Sequence, residues 1–311
     1  MKKKFFIITV DTEGDNLWKW HSGDAITTKN AEYIYRFQNL CEKYNFKPVY
    51  LINYEMAQTD SLVELLKDKA NKGLCEIGMH LHAWNSPPEY ELVNKYNGCA
   101  YITEYPENIV RQKHRFLVEY IEKRFGIRPV SYRAGRWATN DSLFKVLDEL
   151  GFLVDCSITP GITHERNVGM SVASGNNYQK EKNGYTWITK NLIEVPMTSY
   201  KTRSIHGVNL KNRLSHLIKG EELWLRPATS SYDDMIRLTN IIEGMGNKYL
   251  EFMIHSSELM PGCSPYCKNE EAVEAYYNRM EQYFQYVYTR YQGITLSSFW
   301  KIISLEGVKK S

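Results

Sequence analysis

The chain has 311 residues, of which 43% are hydrophobic and 24% charged, with a net charge of +3. That is ordinary globular usage, and the charge is too small to argue for a nucleic-acid or membrane-surface partner. The length allows one large α/β domain or two small ones, and no apolar run approaches a membrane span. Met1-Lys2-Lys3-Lys4 looks like the charged start of a signal peptide, but only six apolar residues follow before Asp11 and no small-residue cleavage site comes after them. A cytoplasmic chain is expected. Its six scattered cysteines then read as reduced thiols, with Cys263 and Cys267 too isolated to make a metal site.

Phe5 to Val10 is a short run of apolar and β-branched residues, read as a buried strand that ends at Asp11-Thr12-Glu13-Gly14-Asp15. Residues two apart on an extended chain face the same way, so Asp11 and Glu13 leave the strand together. A loop with Trp18, Trp20 and His21 follows, then a helix from about 28 to 44 and a strand from 49 to 52. A helix from about 61 to 73 leads to a third strand, 74 to 79, which ends in His80-Leu81-His82. A loop with Trp84, Pro87 and Pro88 precedes a helix from 106 to 125, stopped by Gly126. Strand four, 129 to 132, ends at Arg133. The next helix, with Leu143, Val146, Leu147 and Leu150 on one face, ends at Gly151. Strand five, 152 to 154, ends at Asp155.

Residues 156 to 190 carry no long periodic pattern and are expected to form a pocket-shaping loop. Short strands near 193 to 195 and 223 to 225 flank a helix near 210 to 218. A helix from 232 to 245 leads to strand 250 to 254 and His255. A Tyr-rich helix from 269 to 291, a short strand near 294 and a last helix through Trp300 complete the chain. Strands alternating with helices imply a parallel sheet with crossover helices, and seven or eight such units favour a closed barrel. One domain spanning 1–311 is expected. There is no glycine-rich dinucleotide fingerprint and no phosphate loop.

The chemistry-bearing residues follow the apolar runs: Asp11 and Glu13 the first, His80 and His82 the third, Arg133 and Arg136 the fourth, His255 the strand at 250 to 254. In a parallel barrel these positions share the C-terminal rim. Two imidazoles and a carboxylate from Glu13 or Asp15 make an open zinc-type site that lowers the pKa of a bound water. His21, close to Asp15 in sequence, is a further candidate ligand. Asp11 is then placed as general base, Arg133 as its tether and His255 as the acid that protonates a leaving amine. Trp18, Trp20, Trp84 and Trp137, after strand ends, read as pocket walls or a sugar platform, and Arg136 joins Trp84 and Trp137 at the substrate. His114 and His216 fall in predicted helices and read as structural or surface residues. His164 and His206 fall in loops and read as solvated.

At these residues the chain resembles the polysaccharide deacetylase family, carbohydrate esterases of the chitin and peptidoglycan deacetylase type. Thr9-Val10-Asp11-Thr12-Glu13-Gly14 is similar to the family's first motif, whose base matches Asp11; Thr12 replaces a ligand Asp, and Glu13 is the substitute. Glu76-Ile77-Gly78-Met79-His80 resembles the second motif, whose second His falls on Trp84, leaving His82 as the nearest replacement. Tyr132-Arg133-Ala134-Gly135-Arg136-Trp137 resembles the third, and Phe252-Met253-Ile254-His255 the last. The Asp that tunes the acid His has no clean match, and Asp155 is a candidate for it. The resemblance implies a distorted (β/α)7–8 barrel, a divalent metal, zinc above all, and removal of an N- or O-acetyl group from a sugar. Gly-x-His-Leu-His-x-Trp and His-Ser-Ser-x-Leu-Met-Pro-Gly look like a divergent branch associated with surface-polysaccharide biosynthesis. The altered ligand positions leave two alternatives: a metal-free cyclic amide hydrolase on the same fold, and a catalytically degraded carbohydrate-binding protein.

Overall fold

A computed structural model describes residues 4–21, 23–203 and 220–308. The predicted helix at 210 to 218, with His206 and His216, lies outside the described residues. The strands are β1 (Phe5–Thr12), β2 (Val49–Ile52), β3 (Glu76–Leu81), β4 (Ser131–Ala134), β5 (Val154–Asp155), β6 (Thr186–Trp187), β7 (Ile193–Glu194), β8 (Ser199–Thr202), β9 (Glu221–Trp224), β10 (Tyr249–His255) and β11 (Gln292–Gly293). The helices are α1 (Ile34–Lys43), α2 (Tyr54–Ala57), α3 (Asp60–Asn71), α4 (Glu107–Phe125), α5 (Asp141–Glu149), α6 (Tyr232–Gly244), α7 (Glu270–Tyr288) and α8 (Leu296–Val308).

The main sheet runs β10-β1-β2-β3-β4-β5-β7-β6, parallel except for the β6–β7 pair, with β11 beside the start of β1. It curls into a distorted barrel whose strand pairing does not close. The β8–β9 hairpin bridges the gap. The Met253 N–H donates to the Leu225 carbonyl (3.1 Å), the Glu251 N–H to Thr198 Oγ1 (2.8 Å), and the Met197 N–H to the Ile158 carbonyl (3.0 Å). The hairpin's first strand was not expected from sequence, because Ser199-Tyr200-Lys201-Thr202 has no apolar run to mark it. The helix predicted from 28 begins instead as a 3₁₀ turn at Lys29–Tyr33.

Side-chain parity along the strands decides what faces the barrel interior. On β1, Phe6, Ile8 and Val10 pack outward into the large core shared with the helices, where Phe6, Phe46, Phe252, Tyr283 and Phe284 meet. Phe5 and Ile7 face inward with Val49, Leu51, Tyr249 and Phe299, so α8 plugs the N-terminal end of the barrel. The inward series of β1 then turns polar: Thr9, Asp11, and Glu13 just beyond the strand, all buried. On β3 and β4 the inward residues are polar or small throughout, Glu76, Gly78 and His80 on one and Ser131 and Arg133 on the other, and end at the same site. One end of the barrel is an apolar plug and the other a buried polar site. No helix among the described residues is long and apolar enough to cross a membrane.

Candidate metal and acid-base site

Strand register sets the site. Asp11 lies opposite His255 across the β1–β10 pair, and His80 lies opposite Arg133 across β3–β4. Glu13, His80 and His82 converge: His80 Nε2 and His82 Nε2 are 2.8 Å apart, and Glu13 Oε2 is 3.4 Å and 3.0 Å from them. All three are buried, and they are the metal-competent group found among the described residues. Three atoms ligating one zinc at ~2.0–2.1 Å in a tetrahedral arrangement stand roughly 3.3 Å apart, so the cluster fits a small divalent cation. His80 Nδ1 lies 3.0 Å from the Arg133 carbonyl and donates to it, which turns the Nε2 lone pair toward the cluster. Gly135 makes room for His82: a Cβ there would lie 2.5 Å from His82 Cδ2 and 2.7 Å from the Leu81 carbonyl oxygen.

Arg133 is fully buried and bridges two separate carboxylates. Its Nη1 donates to Asp11 Oδ1 (2.6 Å), its Nη2 to Glu251 Oε1, and its Nε to the Cys156 carbonyl (2.9 Å). Burial pushes the Asp11 carboxyl up, but Arg133, His80 and His255 together outweigh it and hold Asp11 below the usual range. Burial likewise opposes the Glu13 charge, and His255 with the two cluster histidines brings Glu13 well below an ordinary glutamate. Burial lowers His82, whereas the Asp11 and Glu13 charges overcome burial at His80 and raise it.

His255 Nε2 stands 3.8 Å from both Asp11 Oδ2 and Glu13 Oε1. Behind it, Arg226 Nη2 is 2.9 Å from Nδ1. A guanidinium only donates, so Nδ1 accepts and the ring proton sits on Nε2, facing the cluster. Glu258 pairs with the same Arg226 nitrogen and takes a 2.6 Å hydrogen bond from the Tyr276 hydroxyl. Glu258 and Arg226 thus occupy the place assigned to Asp155. That assignment is corrected: Asp155 instead accepts from Ser157 Oγ (2.6 Å) and faces Glu194. The signal for Glu258 was present, since it follows His255 by three residues and returns to its backbone N–H (3.1 Å).

Other expectations divide. Asp15 is no ligand here: its carboxylate accepts from Thr27 Oγ1 and from the N–H groups of Lys29 (2.5 Å) and Asn30 (3.3 Å), satisfying the start of the 3₁₀ turn. His21 is exposed beside Asp24, 3.6 Å away. Arg136 donates to the Cys99 and Val168 carbonyls and covers Tyr101 at 4.0 Å, so its guanidinium clasps two loops instead of waiting for a substrate. Trp137 lies over Arg133 (5.0 Å) and parallel to His164 (6.3 Å). Arg136 and Trp137 both take left-handed backbone, φ 59° and 60°, which folds this turn over the site. His164, expected in solvent, is buried against Thr159 Oγ1 (2.9 Å), and burial lowers it to about 4. His114 is buried in α4 with Nδ1 at the Val110 carbonyl (2.7 Å). Trp84 packs on His82, with ring centroids 4.3 Å apart, and Trp18 meets His255 edge-on at 5.2 Å. The six cysteines are free thiols.

No protein-family model matches the chain, and none of the curated proteins does. Solved structures do. A candidate polysaccharide deacetylase from Mycobacterium smegmatis superposes with a TM-score of 0.56 at 15% identity, covering 98% of this chain and 92% of that one. A 4-alpha-glucanotransferase from Thermococcus litoralis gives 0.56 at 13% identity, over 96% of this chain and 40% of the other. The allantoinase Puue gives 0.50 at 14% identity, over 96% and 88%. The chain therefore has the distorted-barrel fold found in polysaccharide deacetylases, with a Glu-His-His cluster at the C-terminal ends of β1 and β3.

Proposed function

We propose that this protein is a metal-dependent hydrolase that removes an acetyl group from an N-acetylated or O-acetylated sugar or polysaccharide precursor. The observation that carries the reading is the meeting of the Glu13–His80–His82 cluster with an Arg133-tethered Asp11 and an inward-facing His255 Nε2. A divalent ion held by the cluster, zinc by the donor set, would acidify a water and polarise the acyl oxygen. Asp11, kept ionised by Arg133, accepts the water's proton. His255 presents an N–H where a leaving nitrogen or oxygen takes up charge. Trp84, Trp18 and Trp137 wall the site and hold the sugar ring. A surface-polysaccharide setting fits the local sequence patterns.

The test is metal content and acetate release, measured together. About one ion per chain is expected, lost in a His80→Ala, His82→Ala double variant, with acetate released from N-acetyl sugars and stopped by a chelator. Asp11→Asn should bind metal and lose ~10²–10⁴ in kcat. Undiminished activity in Asp11→Asn would refute the assignment. Because an allantoinase shares the fold, hydrolysis of a cyclic amide by chelated protein would favour that second reading.

A further inference from the structure

Asp155 and Glu194 take no part in the chemistry described above. Val154 and Ile193 face the barrel interior, so these two acids, one residue on, lie in register on the outer face of the parallel β5–β7 pair, both buried. Each carboxyl uses one oxygen in the ordinary way. Asp155 Oδ1 accepts from Ser157 Oγ (2.6 Å), and Glu194 Oε1 accepts from the Ile158 N–H (3.0 Å). The other oxygens, Asp155 Oδ2 and Glu194 Oε2, are buried and find no donor elsewhere among the described residues. Buried polar atoms in folded proteins are nearly always paired. Here the two side chains bond to each other. Carboxylates only accept, so two carboxyl groups can bond in this way only by keeping a proton between them.

The pair stands beside the support of Asp11. Ser157 Oγ, bonded to Asp155, also accepts from the Ala134 N–H (2.8 Å), and the Ile158 carbonyl accepts from the Met197 N–H (3.0 Å). The neighbouring Cys156 carbonyl takes the Arg133 Nε–H (2.9 Å), while Nη1 of the same guanidinium holds Asp11. Asp155 and Glu194 thus pin residues 157 and 158, next to the carbonyl that orients Arg133.

The groups facing the pair do not replace its proton. Arg133, on β4, favours charge on Asp155 but already bridges Asp11 and Glu251. Glu251, on β10, opposes charge on Glu194. Tyr132 on β4, Cys156 after β5, Tyr178 in the 156–190 loop and Tyr249 on β10 are raised by burial and by these acids, so they stay neutral. Lys180, Glu181 and Lys182 line, with Glu194, a cleft of about 320 Å³. Burial outweighs the cations and raises both acids, Glu194 well above the ordinary range.

We propose that Asp155 and Glu194 are a positioning pair for the base: one shared proton joins them, the joined side chains hold the Cys156 carbonyl, and Arg133 and Asp11 are oriented through it. When that proton leaves to solvent, two like charges face each other in a buried place and the 155–158 segment draws away from β7. Arg133 then loses the partner of its Nε–H. Activity is therefore present while the pair keeps its proton and is lost as pH rises past that point. The role of Asp11 rests on the deacetylase reading; the proton-linked movement of Arg133 does not.

The experiment compares metal-loaded wild type with Glu194→Gln from about pH 6 to about pH 10. Glutamine keeps the acceptor for the Ile158 N–H and puts a permanent N–H donor toward Asp155 in place of the shared proton. Asp155→Asn does the same from the other side and serves if Glu194→Gln does not fold. The ratio of kcat in the variant to kcat in wild type should stay near one at the acid end. It should rise about tenfold per pH unit once the wild-type pair has lost its proton, with KM unchanged. Taking the ratio cancels titrations common to both proteins. The Arg133 Nε–H resonance should shift over the same range in wild type and stay fixed in the variant. A ratio that is constant with pH would overturn the proposal, even with a variant less active throughout, because that is the mark of a purely structural pair. Acetate release with a constant ratio and a fixed resonance removes the pair alone. A shifting wild-type resonance without acetate release from any acetylated sugar removes the deacetylase reading alone.

Discussion

Glu55, in the first turn of α2, reaches three strand ends at once. Asn53 Nδ2 donates to its Oε1, Asn85 Nδ2 donates to Oε2 (2.8 Å), and the Gly14 backbone contributes a further hydrogen bond. Burial pushes its carboxyl from the ordinary 4.5 up to about 7, and the nearby Glu13 charge adds to the rise. The unfolded chain releases this proton near 4.5 and the folded protein near 7, so folding takes up a proton between those values. This contribution to stability is fully present below pH 4.5 and is lost as pH rises through 7. The total is ~3 kcal/mol, at ~1.4 kcal/mol per pH unit of separation. Glu55→Gln abolishes the titration while keeping a side chain of the same shape. In urea unfolding of chelator-treated protein, the stability of Glu55→Gln relative to wild type should improve by ~3 kcal/mol between pH 4.5 and 7.5, whatever fixed offset the lost hydrogen bonds introduce. A cation bound at Glu13 should move the window to lower pH. A difference that stays flat across this range would refute the argument.

Gly135→Ala forces a methyl group against His82 and the Leu81 carbonyl, so metal affinity should fall ~10–100-fold, read by competition with a chromophoric chelator. Arg133→Met leaves Asp11 and Glu251 buried without their cation and should cost ~3–5 kcal/mol in denaturant unfolding. Glu258→Gln removes the buried carboxylate that fixes Arg226 behind His255; kcat should drop ~10-fold or more with KM little changed, and an unchanged kcat would show that His255 needs no such support.

Much of the fold was legible because apolar runs and helical periodicity coincide along most of the chain. Five of the named site residues, Asp11, Glu13, His80, His82 and Arg133, were legible for a simpler reason: each directly extends the inward series of a buried strand, so parity alone places them together. Reading failed where position depends on a loop. Nothing in Arg136 as a residue type reveals that a left-handed turn aims it at the Cys99 and Val168 carbonyls. Asp15 shares its direction rule with Asp11 and Glu13 only while the chain stays extended, and the turn at Asp15 and Asn16 ends that. Glu251 was overlooked inside Tyr249–His255, although a charge in the middle of a buried strand is itself a signal that a cation must be waiting for it. Arg226 is brought to His255 by the β8–β9 hairpin, a long-range closure with no local mark.

The buried charges around Arg133 show how one carboxylate is singled out. Asp11, Glu251, Asp155 and Glu194 are all buried, and Arg133 influences the first three while contacting two. Four ionised carboxylates around one guanidinium would leave three uncompensated charges in a low-dielectric interior, which is prohibitive. The environment instead separates the groups. Burial raises Asp155 and raises Glu194 further, with Asp155 pushing its neighbour up, so the pair holds a proton. Burial carries Glu251 to about 7 despite Arg133 and the 2.8 Å hydrogen bond from Thr9. Asp11 alone is drawn below its ordinary value, because Arg133 and the imidazoles of His80 and His255 on its side of the site together outweigh its burial. The same burial that works against charge on each of these acids therefore favours a proton on Glu251 and on the Asp155–Glu194 pair and not on Asp11, the one whose free oxygen faces His255. A carboxylate left charged among protonated neighbours is what a proton acceptor at this position requires.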